Sequence, residues 1–146
     1  MVEKDAVIER QHYKGLAWVA SMALFMQSLD ATILNTALPT IATDLQTPVF
    51  EMQMAIIAYS LAVALFIPLT AWAAAKFGTL TVFRSAVFTF VFGSVACAMS
   101  ISLETLVLAR ILQGIGGAFM MPVARLAIIQ TVPKNQLINA WNLMAT

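Results

Sequence analysis
Along the chain, apolar runs long enough to cross a bilayer alternate with short polar breaks. A hydrocarbon core of ~30 Å takes about 20 mostly apolar residues of α-helix. Four stretches meet that length, at residues 15–38, 52–75, about 81–102 and about 105–130. Pro39 closes the first, and Pro68 falls inside the second, where a membrane helix tolerates a kink. After the turn Pro133-Lys134-Asn135-Gln136, the stretch from about 137 to 146 reads as the opening of an incomplete fifth helix. The pattern predicts an all-α membrane bundle of four transmembrane helices plus the start of a fifth. Residues 1–14 form a polar segment ahead of it.

Composition excludes the soluble alternative. Hydrophobic residues make up 61% of the 146 and charged residues 10%, against about 25% charged in ordinary globular proteins. Six of the charged side chains (Glu3, Lys4, Asp5, Glu9, Arg10 and Lys14) crowd the first fourteen residues. Too few remain to cover a soluble surface. A net charge of +1 offers no basic field for nucleic acid. Cys97 and His12 are single, so no metal site or cofactor is implied. The first apolar run has no small-residue cleavage site, which argues against a cleaved signal.

The remaining charges set an orientation. With the N-terminus in the cytoplasm, Lys4, Arg10, Lys14, Lys76, Arg84, Arg125 and Lys134 all fall inside. The two outer loops then carry Asp44, Glu51 and Glu104 but neither Lys nor Arg. Basic residues collect on the cytoplasmic side of membrane proteins, so the chain is expected to be multi-pass with a cytoplasmic N-terminus.

Asp30 and Arg110 are left within the bilayer, where a charge costs about 2.5–3.5 kcal/mol at a helix centre. Asp30 lies nine residues before Pro39 and Arg110 six residues after Glu104, hence ~13 and ~9 Å from the outer face at 1.5 Å per residue. Similar depth predicts contact. The pair either binds and releases a proton, Arg110 tuning Asp30, or is a static ion pair that fixes helix packing. Arg110, Gln113, Gly114 and Gly117 share one helix face, the glycines permitting close approach of a neighbouring helix. Gln27, one turn before Asp30, is placed to hydrogen-bond it or a substrate. Gln113, Asn35 and Tyr59 are further candidates for lining a substrate cavity, and the nine methionines suit adaptable packing.

Two motifs carry a family resemblance. The run Leu29-Asp30-Ala31-Thr32-Ile33-Leu34-Asn35-Thr36-Ala37-Leu38-Pro39 resembles LDxTIVNVALP, the first-helix motif of EmrB/QacA-type drug:proton antiporters in the major facilitator superfamily. Leu106-Val107-Leu108-Ala109-Arg110-Ile111-Leu112-Gln113-Gly114-Ile115-Gly116-Gly117-Ala118 is similar to their fourth-helix motif LxxxRxxQGxGAA. The resemblance runs from about residue 15 to 146 and implies the N-terminal part of a helix bundle working by alternating access. It implies proton-coupled efflux of small amphipathic compounds across a bacterial inner membrane, with the C-terminal portion of the transporter as a partner. Asp30 would take the acidic position and Arg110 that of the proton-relay arginine.

One motif departs from the family. The loop pattern GxLADRxGRK meets Ala71-Trp72-Ala73-Ala74-Ala75-Lys76-Phe77-Gly78-Thr79-Leu80, which keeps Lys76 and Gly78 but has Ala71 for the leading Gly and Ala75 for the Asp. That Asp helps latch the cytoplasmic gate in the family, so gating here is expected to rest on other contacts. Two alternatives stay open, a complete four-helix transporter acting as a homo-oligomer and a non-transporting, truncated membrane component. An intramembrane enzyme lacks support, as no Ser/His, paired-carboxylate or metal constellation occurs.

Overall fold
A computed structural model describes the backbone of residues 2–131, with side chains described for 18–127 and 129–130. The turn at 133–136 and the incomplete helix expected from about 137 lie outside the described residues. Among the described residues five helices follow one another: α1 (Val2–Asp44), α2 (Val49–Phe66), α3 (Leu69–Phe77), α4 (Thr79–Ala98) and α5 (Leu103–Thr131). The fold is the all-α bundle expected from the apolar runs.

The helix ends differ from the expected ones, for identifiable reasons. Helix α1 does not close at Pro39 but carries that proline in its interior, and it begins at Val2, taking in the segment expected to precede the first span. Its end is set by Gln46, which adopts a left-handed conformation at φ 51°. Thr47 N–H then donates to Ala42 C=O at 2.9 Å and Gln46 N–H to Thr43 C=O at 3.2 Å, the paired bonds that satisfy the last carbonyls of a helix. At Pro68 the second run breaks into α2 and α3. Ile67 and Pro68 keep helical dihedrals, so the chain kinks without reversing. Pro68 has no N–H to offer Ala64, and Thr70 instead donates through both N–H and Oγ1 to Ile67 C=O.

Between α3 and α4 stands one residue, Gly78, at φ 84° and ψ 141°, a conformation other residues rarely adopt. Its N–H donates to Ala74 C=O and its C=O accepts from Val82 N–H, closing one helix and opening the next. Helix α5 opens on a reciprocal cap: Ser102 Oγ accepts from Thr105 N–H at 3.3 Å, and Thr105 Oγ1 accepts from Ser102 N–H at 3.1 Å.

Among the residues with described side chains, three helical stretches are long and apolar enough to cross a membrane, Val49–Phe66, Thr79–Ala98 and Leu103–Ala127. The central turns of α1 carry Gln27, Ser28, Asp30, Thr32, Asn35 and Thr36 within an otherwise apolar stretch.

Helix α5 occupies the centre and packs against the other four helices, with 56% of its spanning stretch buried against 17% for α2. The core falls into two apolar clusters. One joins Ala20 and Ala23 of α1, Ala73 of α3, Val82, Phe83, Ala86 and Phe90 of α4, and Met120, Val123 and Ala124 of α5. The other joins Leu34, Leu38 and Ala42 of α1, Met52 and Ala55 of α2, and Leu106 of α5. Numbers rise along α1 from the first cluster to the second and fall along α5, so the two helices run antiparallel. Between the clusters, both helices present polar residues.

Close packing on α5 depends on residues without side chains. A Cβ at Gly116 would lie 2.6 Å from the backbone nitrogen of Phe90, inside the contact between α4 and α5. Gly116→Ala should therefore force these helices apart and destabilise the bundle by about 1–3 kcal/mol, the usual range for overpacking. Thermal unfolding of the detergent-solubilised protein checks this, with an unchanged transition counting against so tight a contact.

Candidate functional site
The polar layer is built from four helices. On α1, Ala20, Ala23, Gln27, Asp30, Leu34 and Leu38 recur at intervals of three and four, so they share one inward face. On α5, Leu106, Arg110, Gln113, Gly117 and Met120 do the same. Packing these faces antiparallel brings Asp30 opposite Arg110 and Gln113.

The two charges meet directly. Arg110 Nη1 donates to Asp30 Oδ2 at 2.7 Å, with side-chain exposures of 5% for Arg110 and 15% for Asp30. Gln113 Nε2 donates to the other carboxylate oxygen, Oδ1, also at 2.7 Å. Both oxygens are thus engaged by donors at short, charge-assisted distances. The far end of the Gln113 amide is held as well, its Oε1 lying 3.5 Å from the Cys97 thiol on α4. Gln113 is wholly buried.

Tyr59 of α2 forms one wall. Its ring lies under the Arg110 guanidinium, 5.9 Å from centroid to Cζ, an attraction strengthened where water is excluded. Its hydroxyl accepts from Gln27 Nε2 at 3.2 Å. Gly117 leaves room for this pair, since a Cβ there would meet the Tyr59 hydroxyl at 2.8 Å. Gly114 packs against the α2 backbone, where a Cβ would lie 2.7 Å from Tyr59 C=O. Arg110 Nε is buried without a hydrogen-bond partner.

Asp30 and Arg110 meet as their similar depth predicts, and most of the other residues singled out from the sequence gather around them. Gln27 bonds Tyr59 where Asp30 was a candidate, and Gln113 lies fully inside the bundle. Asn35 is exposed, on the same helix as exposed Ser28, Thr32 and Thr36. Thr32 and Thr36 turn their hydroxyls back to the carbonyls of Ser28 and Thr32. Cys97 was read only as an unpaired thiol, and nothing in a single sequence fixes the rotational phase that brings it to Gln113.

The stretch matched to the family's loop pattern lies apart from this layer. Ala71, Ala75 and Lys76 belong to α3, which Gly78 terminates. The Lys76 ammonium stands 4.8 Å from the Trp72 ring centroid and 5.4 Å from that of Phe77, whose rings pack edge-on at 6.0 Å. Aromatic faces thus take up a cation one residue from the position where the family pattern has its acid.

Long apolar helices enclosing a paired charge define an integral membrane helix bundle. The chain belongs to the Major Facilitator Superfamily, a family of membrane transporters, whose model matches residues 20–146. It is 83% identical over 138 residues to the "Probable transport protein HsrA" of Haemophilus influenzae, a match covering 94% of this chain and 30% of that protein. It is 46% identical over 123 residues to the "Putative multidrug resistance protein MdtD" of Yersinia pestis, covering 84% of this chain and 26% of that one. The chain thus spans less than a third of the length of these curated relatives. No solved structure matches it.

Removing one member of a buried ion pair strands the other. Arg110→Gln should destabilise the protein by about 3 kcal/mol, and Asp30→Asn with Arg110→Gln by less than the two single changes together. A double-mutant cycle on denaturation in detergent measures the coupling, and simple additivity would argue that the contact carries none.

Proposed function
We propose that the chain is the N-terminal part of a proton-coupled transporter that exports small amphipathic compounds, with Asp30 as the group that binds and releases the proton. The observation that carries this reading is the Asp30 carboxylate, held at 2.7 Å by Arg110 and by Gln113 inside an otherwise apolar bundle. Ionisable groups at such depth mark ion and substrate pathways by default. A carboxylate loses its charge on taking a proton, which releases Arg110 and changes what the facing helices gain by staying together. Coupling needs that change of state.

The name of the Yersinia relative, a multidrug resistance protein, supports the substrate class. Exposed Ser28, Thr32, Asn35 and Thr36 support a water-lined path beside α1, because polar side chains at membrane depth face protein or a wet cavity. The distribution of Lys and Arg supports a cytoplasmic N-terminus in a bacterial inner membrane. Alternating access would use the C-terminal portion of the transporter as the opposing half.

Asp30→Asn tests the reading in membrane vesicles carrying the protein at its native length. Substrate-driven proton release should vanish while insertion and folding persist. Undiminished antiport in that variant would overturn the role of Asp30.

A further inference from the structure
We infer that Gln113 is a positioning residue whose amide, oriented by the Cys97 thiol, donates to Asp30 when the carboxylate is ionised and turns over when it takes a proton. This rests on the reading of Asp30 as the proton-binding group. An amide has two unlike ends, an NH2 that only donates and a carbonyl that only accepts. Gln113 has both ends occupied, Nε2 on Asp30 Oδ1 at 2.7 Å and Oε1 facing Cys97 Sγ at 3.5 Å. The thiol donates to the carbonyl end and so leaves the NH2 end toward Asp30.

An ionised carboxylate only accepts, and the observed orientation suits it. A proton on Oδ1 would bring an O–H donor against an N–H donor. A half-turn of the amide removes the conflict: Oε1 accepts from the carboxyl O–H, and the NH2 group turns to the sulphur, a weak acceptor. The backbone at Gln113 is held in place, because a Cβ at Gly93 of α4 would lie 2.8 Å from the Gln113 Cα. The side chain can pivot where the helix cannot shift. The titratable or charged groups near Asp30 are Arg110 from α5, Tyr59 from α2 and Cys97 from α4. Arg110 sits on Oδ2, away from the oxygen that Gln113 reads.

Cys97 is the one cysteine in this sequence, and Cys97→Ala assigns its S–H stretch in the native-length protein. The experiment follows that band and the carboxyl C=O band of Asp30 across pH, in the native-length protein reconstituted in lipid. Asp30→Asn assigns the C=O band. The S–H stretch should shift upward, from bonded to free thiol, over the same pH range in which the Asp30 C=O band grows. In Gln113→Leu, or in Gln113→Met should the first fail to fold, the S–H band should no longer respond to pH. An S–H band that stays fixed while Asp30 titrates, or one that still shifts without Gln113, overturns the inference and leaves the proton site standing. Absence of any titrating Asp30 band overturns both.

Discussion
A carboxylate and a guanidinium cannot stand alone in hydrocarbon, and the rest of this bundle is arranged around meeting that requirement. Each charge would cost about 2.5–3.5 kcal/mol unpaired at a helix centre. Pairing them demands that α1 and α5 pack antiparallel, in one register, with their inward faces aligned. The small residues follow from this. Alanines on α1 and glycines on α5 let backbones approach until short bonds form, where bulky side chains would hold them apart.

The polar layer lies between two apolar clusters. On either side of it the packing is apolar, alanines interleaving with Phe83, Phe90 and Met120 in one cluster and with Leu34, Leu38 and Met52 in the other. Within it, every bond depends on the orientation of a particular side chain: Gln113 reads one carboxylate oxygen, Arg110 the other, and Gln27 with Tyr59 closes the side. In such a layer a change in one charge alters several bonds at once. An all-apolar seam would have no comparable means of sensing charge.

How much of this could be read from the sequence depends on the kind of information needed. The all-α bundle follows from the apolar lengths and the contact of Asp30 with Arg110 from the rise per residue, so the fold class and the central pair were legible, whereas the division of the second run into two helices was not. Helix ends were less legible. Pro39 looks like a terminator, yet the end comes at Gln46, whose left-handed conformation no strong residue preference announces. Contacts such as Cys97 with Gln113, or Gln27 with Tyr59, depend on the rotation of one helix relative to another. That phase is set by packing of the whole bundle. The cation over Trp72 and Phe77 belongs to the same class, since only the folded α3 shows which rings Lys76 meets.

The break at Pro68 divides what the sequence presents as one span between two mechanical bodies. Helix α2 rests on α1 and α5, whereas α3 rests on α4 and α5 and is tied to α4 through the single residue Gly78. A tilt of α4 would therefore drag α3 with it, while the kink absorbs the bend and leaves α2 seated against Arg110. The second span acts as an articulated arm, its shorter segment α3 following one neighbour and its longer segment α2 anchored to the charge layer.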